Sequence, residues 1–500
     1  MSRMTPLFMG AVAGFWAVTP AFAQVTPEEV WGNWKTLAES SGVSVSAASE
    51  SRVGDTLTLV DVTVKSDQNG ARITAPMGTV LMRAGSGGTV EVMMSPEYTM
   101  DISIDEQDSD PVEMALSVAH TGAKIVASGT LDNLTYAASA ESIAISLDAL
   151  SVKGEEMPLG VEISMTGVAS TSTTSGQDIR DQTADLTIAE LAIAVDAEDP
   201  EGDGTMTFSM ASEALAMRYA GTMIPGMAGP DMAKALRDGL MVQGSYAIGP
   251  TSFDFDFADK AETAKGQGNI ASTALDFNLS KDALSYTSSA VGVDVTASGS
   301  QIPFPELKFS LGEYALGLTM PVIKSDVPSD FRVLLRLVDL VLPPEIWAMG
   351  DPTGTLTQGP ATVVLDAKGK ARMLVDIMDP AATSGEEIPG EIEALDITEL
   401  KLSAVGAELT GTGAFTFDNA DKTTFPGMPA PDGSADFKLV GGNGLLDNLI
   451  AMGVIPQEQA MGMRMMMGLF GRVGTDPDTL TSKIEVKSDG TILANGQRIQ

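Results

Sequence analysis

The 500-residue chain has no cysteine, a single histidine, and aromatic residues at only 5% of its length. Without thiols there can be no disulfide, no thiol nucleophile and no cysteine-ligated metal, so stability has to come from packing and strand pairing. A Ser-His-Asp triad would depend on His120, and a zinc site built on several histidines is excluded. His120 closes an alternating run from Val112 to Val118 and reads as an ordinary strand-end residue. Positive charge is also scarce: 30 Lys and Arg stand against 67 Asp and Glu, for a formal net charge of −37. Such a field repels nucleic acid phosphates and anionic membrane surfaces, and no basic patch offsets it, so nucleic acid is not an expected partner. Beyond the N-terminus no apolar run approaches the roughly 18 residues of a membrane-spanning helix. No glycine-rich phosphate loop, nucleophile elbow or zinc-ligand spacing is found, and no cofactor is expected.

What the chain does have begins at its N-terminus. Arg3 precedes an apolar run from Leu7 to Val18, and Ala21-Phe22-Ala23 supplies a small-x-small cleavage site. That pattern predicts a signal peptide over residues 1–23, cleavage after Ala23 and a periplasmic mature protein starting at Gln24. Residues 24–42 then read as a capping helix. Thr26 is its N-cap, Pro27 takes the first helical position and Glu29 completes a capping box. Val30, Trp31, Trp34, Leu37 and Ala38 share one face, suited to plugging one end of a sheet.

From residue 43 the hydrophobic period becomes two. Val90, Val92 and Met94 alternate up to Ser95-Pro96-Glu97, and Tyr98, Met100, Ile102 and Ile104 alternate beyond it, which predicts a hairpin. Similar runs occur at Phe253, Phe255 and Phe257, at Val291, Val293 and Val295, and at Tyr314, Leu316, Leu318 and Met320. One polar face per strand favours antiparallel sheet over the buried parallel strands of an α/β enzyme. The expected fold is mainly β: an extended, curved, mostly antiparallel sheet of repeated hairpins with a few covering helices. It divides into an N-terminal β region, 43–325, and a C-terminal β region, 326–500. Helices are expected at 230–238, at 329–342 ending on Pro343-Pro344, and as a pair within 445–470. An outer-membrane barrel would need two aromatic girdles, which 5% aromatic content does not supply.

Three clusters invite a chemical reading. Asp199, Glu201, Asp203 and Gly204 match the opening of a calcium loop, but Met210 stands where the bidentate glutamate belongs. They are the weak metal candidates of the chain. Asp105, Glu106, Asp108 and Asp110 lack the glycine of such a loop and read as a charged loop tip. Met461, Met463, Met465, Met466 and Met467 crowd one helix; without a partnering His or Cys they suit adaptable packing or a greasy contact surface better than a soft metal. No carboxylate pair is singled out for hydrolysis among 67 acids.

The stretch Leu334-Leu335-Arg336-Leu337-Val338-Asp339-Leu340, with Ile346-Trp347, Asp351-Pro352, Gly359-Pro360-Ala361-Thr362 and Leu365-Asp366, resembles the signature of an alphaproteobacterial family, domain of unknown function 2125. The likeness extends to Thr26 through Trp34, to Asp478 through Ile484 and to Gly490 through Gln500. Gln358-Gly359 stands where such sequences often carry an arginine before the second proline. More remotely, the pattern of amphipathic strands is similar to that of AsmA-like envelope proteins, elongated β structures associated with lipid movement or outer-membrane maintenance. The resulting expectation is a non-enzymatic envelope protein that binds a lipid or hydrophobic polypeptide on an apolar sheet face. The alternatives are an interaction protein contacting an envelope partner, and a carboxylate-dependent hydrolase.

Overall fold

The structure is a computed structural model that describes residues 24–40, 42–68, 70–105, 110–176, 179–200, 202–224, 231–379, 382 and 389–500. Residues 1–23, where a signal peptide is expected, lie outside them. The alternating pattern folds as expected into one long antiparallel sheet of many hairpins with five short helices among the described residues. Each strand pairs mainly with its sequence neighbours, and no ladder between described residues joins the first strands to the last. The chain exposes 29467 Å², against roughly 17,000 Å² for a compact monomer of its mass. Much of the sheet is therefore not covered by a second layer.

Among the described residues a compact core lies at the N-terminal end. Helix α1 (Pro27–Ser40) starts as its sequence predicts: the Thr26 amide and hydroxyl donate to Glu29 Oε2 (2.8 and 2.9 Å), and the Glu29 amide donates back to Thr26 Oγ1 (3.3 Å). Its apolar face carries Val30 and Trp31 onto Leu57, Leu59, Val80, Met82, Val90 and Val92. Trp31 Nε1 donates to Glu50 (2.7 Å), so the indole is buried with its polar atom satisfied. Tyr136, packed beside the core, donates to Asn33 of the helix (2.8 Å), and burial pushes its phenol up to about 12.

Several expectations are corrected. Residues 329–342 are not a helix: Ser329–Leu340 is a strand, and the short helix α3 begins after it, with Pro344 at its first turn (Pro344–Gly350). The adjacent Leu334 and Leu335 obscure the two-residue period. Leu335 pairs with Leu316 and Leu365 on the apolar side, whereas Leu334 lies on the opposite side against Gly317, which leaves it room. Nor does Ser95-Pro96 turn the chain. Val90–Met93 and Glu97–Ile104 pair with successive parts of the same strand, Ala71–Ala84, so the proline interrupts one continuing lane. Leu134 and Ile143 sit in one long strand, Asn133–Val152. The helix expected at 230–238 is seen as α2 (Met232–Arg237), and the C-terminal pair as α4 (Gly442–Ala451) and α5 (Gln457–Phe470).

A row of backbone irregularities crosses most of the sheet. Gly78, Gly167, Ala214, Gly292 and Asp339 hold positive φ within strands. Gly167 falls between the pairs Thr166↔Glu190 and Ala169↔Thr187. Ala214 falls between Glu213↔Glu190 and Leu215↔Ile188. Gly292 falls between Val291↔Ser272 and Val293↔Ile270. The Asp339 amide donates to Thr362 Oγ1 (3.1 Å), and Gly249-Pro250 interrupts its lane opposite Glu213. At this row the apolar spacing lengthens from two to three, as from Ile188 to Leu191 and from Leu311 to Tyr314. In a regular pleat that slip would turn the next apolar residues to the wet face. A bulge-like step in each strand returns them to the side they left.

The row gives a stability prediction. A Cβ at Gly292 (φ +62°) would meet the Ala271 Cβ at 3.0 Å, so Gly292→Val combines left-handed strain with a contact and should cost about 1–3 kcal/mol. Gly359 has an ordinary φ and nothing within 4 Å of such a Cβ. Gly359→Ala should therefore leave the urea midpoint almost unmoved, and equal midpoints for the two variants would contradict the reading.

Candidate functional site

On one side of this row the cross-strand register lines apolar side chains into long tracks. One runs Leu186, Met217, Tyr246, Leu275, Ser288, Leu316, Leu335, Leu365 and Leu400, each directly paired with the next. Beside it run Tyr219, Gly244, Phe277, Tyr286, Leu318, Val333 and Ala367. A third, Tyr314, Leu337, Val363, Leu402, Leu409, Leu439 and Leu480, reaches the last long strand. From Arg180–Glu198 to Thr479–Val486 this face extends ~50 Å at the usual strand spacing.

The tracks lie on the same face as the core under α1, because Leu134 of that core pairs with Thr174, and Thr174 pairs through Gln182 and Gly221 with Val242. Under α1 the apolar side chains are sealed. Along the tracks Leu316 and Leu318 remain 41% and 40% exposed, and Met217, Tyr219, Val333 and Leu402 are similarly open. A contiguous apolar surface of this size is unusual on a soluble monomer and marks a contact or ligand surface. Chemically it offers dispersion contacts and exclusion of water, with few polar groups to orient a reacting atom.

The opposite face is polar and cross-linked by ion pairs. Arg332 grips Asp366 with two hydrogen bonds (2.9 and 2.8 Å), and Arg336 holds Glu313 (2.7 and 3.1 Å) and Glu399 (3.1 Å). The Arg332 guanidinium holds the Asp366 carboxyl below its usual range, against the opposing effect of partial burial. A carboxyl depressed in the folded state contributes stability in full above its unfolded value, and that contribution is lost as the pH falls through the folded value. Wild type should therefore lose part of its urea stability below about pH 4, and Asp366→Asn should remove that part. A parallel acid decline in both proteins would show that the pair contributes nothing, as many exposed pairs do.

The residues that composition and spacing single out are dispersed. His120 Nε2 lies 3.0 Å from the Ser95 carbonyl, tying the strand Val112–Thr121 to the interrupted lane beside it. Asp199 and Asp203 sit in the turn between Arg180–Glu198 and Thr205–Met223, where Asp203 pairs with Lys260 (3.1 Å). Glu201 lies outside the described residues, as do Glu106 and Asp108. Met210 is a paired strand residue, opposite Ile193 and Phe253. Asp110 pairs with Lys153 (2.9 Å). Among the described residues no three His, Cys, Asp or Glu side chains are grouped to hold a metal.

Two further places were not read from the sequence. A concavity of about 620 Å³ lies over the irregular row, lined by Glu190, Glu213, Asn269, Asp294 and a Thr251 hydroxyl that donates to Ser212 (2.9 Å). Its facing glutamates are both exposed, and no Lys, Arg or His lines it. The only buried carboxylate among the described residues is Asp351. It accepts from the Leu356 amide (2.6 Å) and the Thr353 hydroxyl (3.0 Å), and the Leu356 bond leads the effects that hold it below the usual carboxylate range. That satisfied carboxylate organises the loop after α3. The Asp339 amide, Thr362, Asp351 and Asp366 thus hold the turn, the loop and the strand pairing around 329–373.

The motif-bearing stretch lies within a wider match. A family model described as an uncharacterized protein conserved in bacteria (DUF2125) matches residues 245–496. The chain belongs to this family. The DUF2125 match takes in the strands from Thr263–Leu279 to Thr479–Val486 and the helices α3, α4 and α5, and so most of the open apolar face. No curated protein matches the chain.

Proposed function

We propose that this DUF2125 protein is a non-enzymatic periplasmic envelope protein whose apolar sheet face binds the acyl chain of a lipid or a hydrophobic polypeptide segment. The observation that carries the reading is the set of adjoining apolar tracks, sealed under α1 and open elsewhere. A folded chain gains about 25 cal/mol for each Å² of apolar surface it buries, so leaving this much uncovered costs stability unless something else covers it. Ligand surfaces of this kind are mostly apolar with few polar anchors, which fits a face whose ion pairs lie on the other side. The leader pattern of residues 1–23 supports export. The motif likeness to alphaproteobacterial sequences and the pattern likeness to AsmA-like envelope proteins support a place in the cell envelope.

Native mass spectrometry of the protein purified from its own envelope tests the proposal. The expected spectrum carries adducts of lipid mass that are released on activation. A bare protein that also ignores lipid probes would contradict it.

A further inference from the structure

We propose that the α4–α5 hairpin docks on the surface of a phospholipid bilayer. Its outer surface is apolar and exposed: Met465 is 73% exposed, Val454 at the hairpin tip 59%, and Met461, Met466 and Leu469 are also open. The hairpin is held from within. Ala460 is fully buried, Arg464 pairs with Asp447 of α4 (2.5 Å), and Asp478 accepts from the amides of Asn443 and Gly444 (3.1 and 2.8 Å), anchoring the start of α4. The exposed methionines are therefore presented by a fixed support.

Charge and position favour a bilayer over other occupants. Residues 442–473 carry two acids, Asp447 and Glu458, and two bases, Arg464 and Arg472, in a chain of net charge −37. This locally neutral segment is where an acidic protein can meet a lipid surface without the repulsion felt elsewhere. Flexible thioether side chains adapt to a fluid apolar environment, and an apolar helix surface in the interface binds through its buried area. The third apolar track ends at Leu439 and Leu480, beside Gly442 of α4 and Gly471 at the end of α5. Docking here would set the unsealed end of the apolar face against the membrane, opposite the end closed by α1; this orientation rests on the proposed function, whereas docking itself does not.

Flotation of the full-length mature chain with phosphatidylcholine vesicles tests the proposal. Wild type is expected to float, and to float less when phosphatidylglycerol is added, because no basic patch offsets the acidic field. A Val454→Asp, Met461→Glu, Met465→Glu variant should lose at least about tenfold in vesicle affinity, and Met465→Leu should retain it. Leu318→Glu, on the sheet, should float as wild type does while losing lipid-probe binding, so unchanged probe binding in this variant with flotation intact would sink the sheet reading alone. Wild type that stays with the unbound fraction, a triple variant that floats equally well, or concentration-dependent self-association abolished by the triple variant without vesicle binding would each overturn the proposal.

Discussion

Replacing Leu316 and Leu318 with glutamate is expected to weaken binding of a fluorescent fatty-acid probe by at least about 30-fold while leaving the fold intact. Both side chains are about two-fifths exposed, on neighbouring tracks of one strand, Leu307–Met320. In the free protein the introduced carboxylates would reach water, so the expected destabilisation stays within about 1 kcal/mol. Against an acyl chain they would be desolvated without a partner, and even ~2 kcal/mol of that cost corresponds to about 30-fold in affinity. Probe fluorescence titration with parallel urea unfolding separates the two effects. Unchanged affinity would remove these tracks from any binding surface, and loss of folding would mean that they are covered by the protein itself.

The second large effect belongs to the sealed end. Trp31→Ala should destabilise the protein by about 3–5 kcal/mol, the usual cost of removing a large aromatic side chain from a packed core. Trp31 is 2% exposed and wedged over Leu57, Leu59 and Met82. Its removal also deprives Glu50 of an indole donor, with Lys35 still 3.8 Å away. Met465→Ala, at an exposed position, should move the urea midpoint by less than about 0.5 kcal/mol. Comparable losses in the two variants would mean that α1 is not the sheet's seal.

Much of this architecture was legible because two-residue alternation encodes a one-sided sheet directly, and because Thr26 and Glu29 form a local cap that no distant contact has to create. The errors have equally local causes. Leu334 made the strand Ser329–Leu340 resemble a helix because its place on the polar side depends on Gly317, a partner known only from the register. Pro96 looked like a turn because a proline that ends pairing and one that interrupts a continuing lane have the same local chemistry. The irregular row left a trace, the three-residue step at Ile188 to Leu191 and again at Leu311 to Tyr314. Its meaning appears only when neighbouring strands show the step at paired positions. The candidate surface was anticipated as a face, whereas its extent and its open state depend on which strands lie side by side.

The most direct measurement places a photoreactive phenylalanine analogue at Leu318 on the apolar side, and separately at Thr287 of the polar side, in protein expressed in its native cells. Thr287 pairs with Gly317, the residue preceding Leu318, so the two probes sit in the same part of the sheet on opposite sides. The expected result is a lipid or hydrophobic-peptide adduct from position 318 and none from 287. Equal labelling from both sides, or no adduct from either, would contradict an apolar face that is open and occupied.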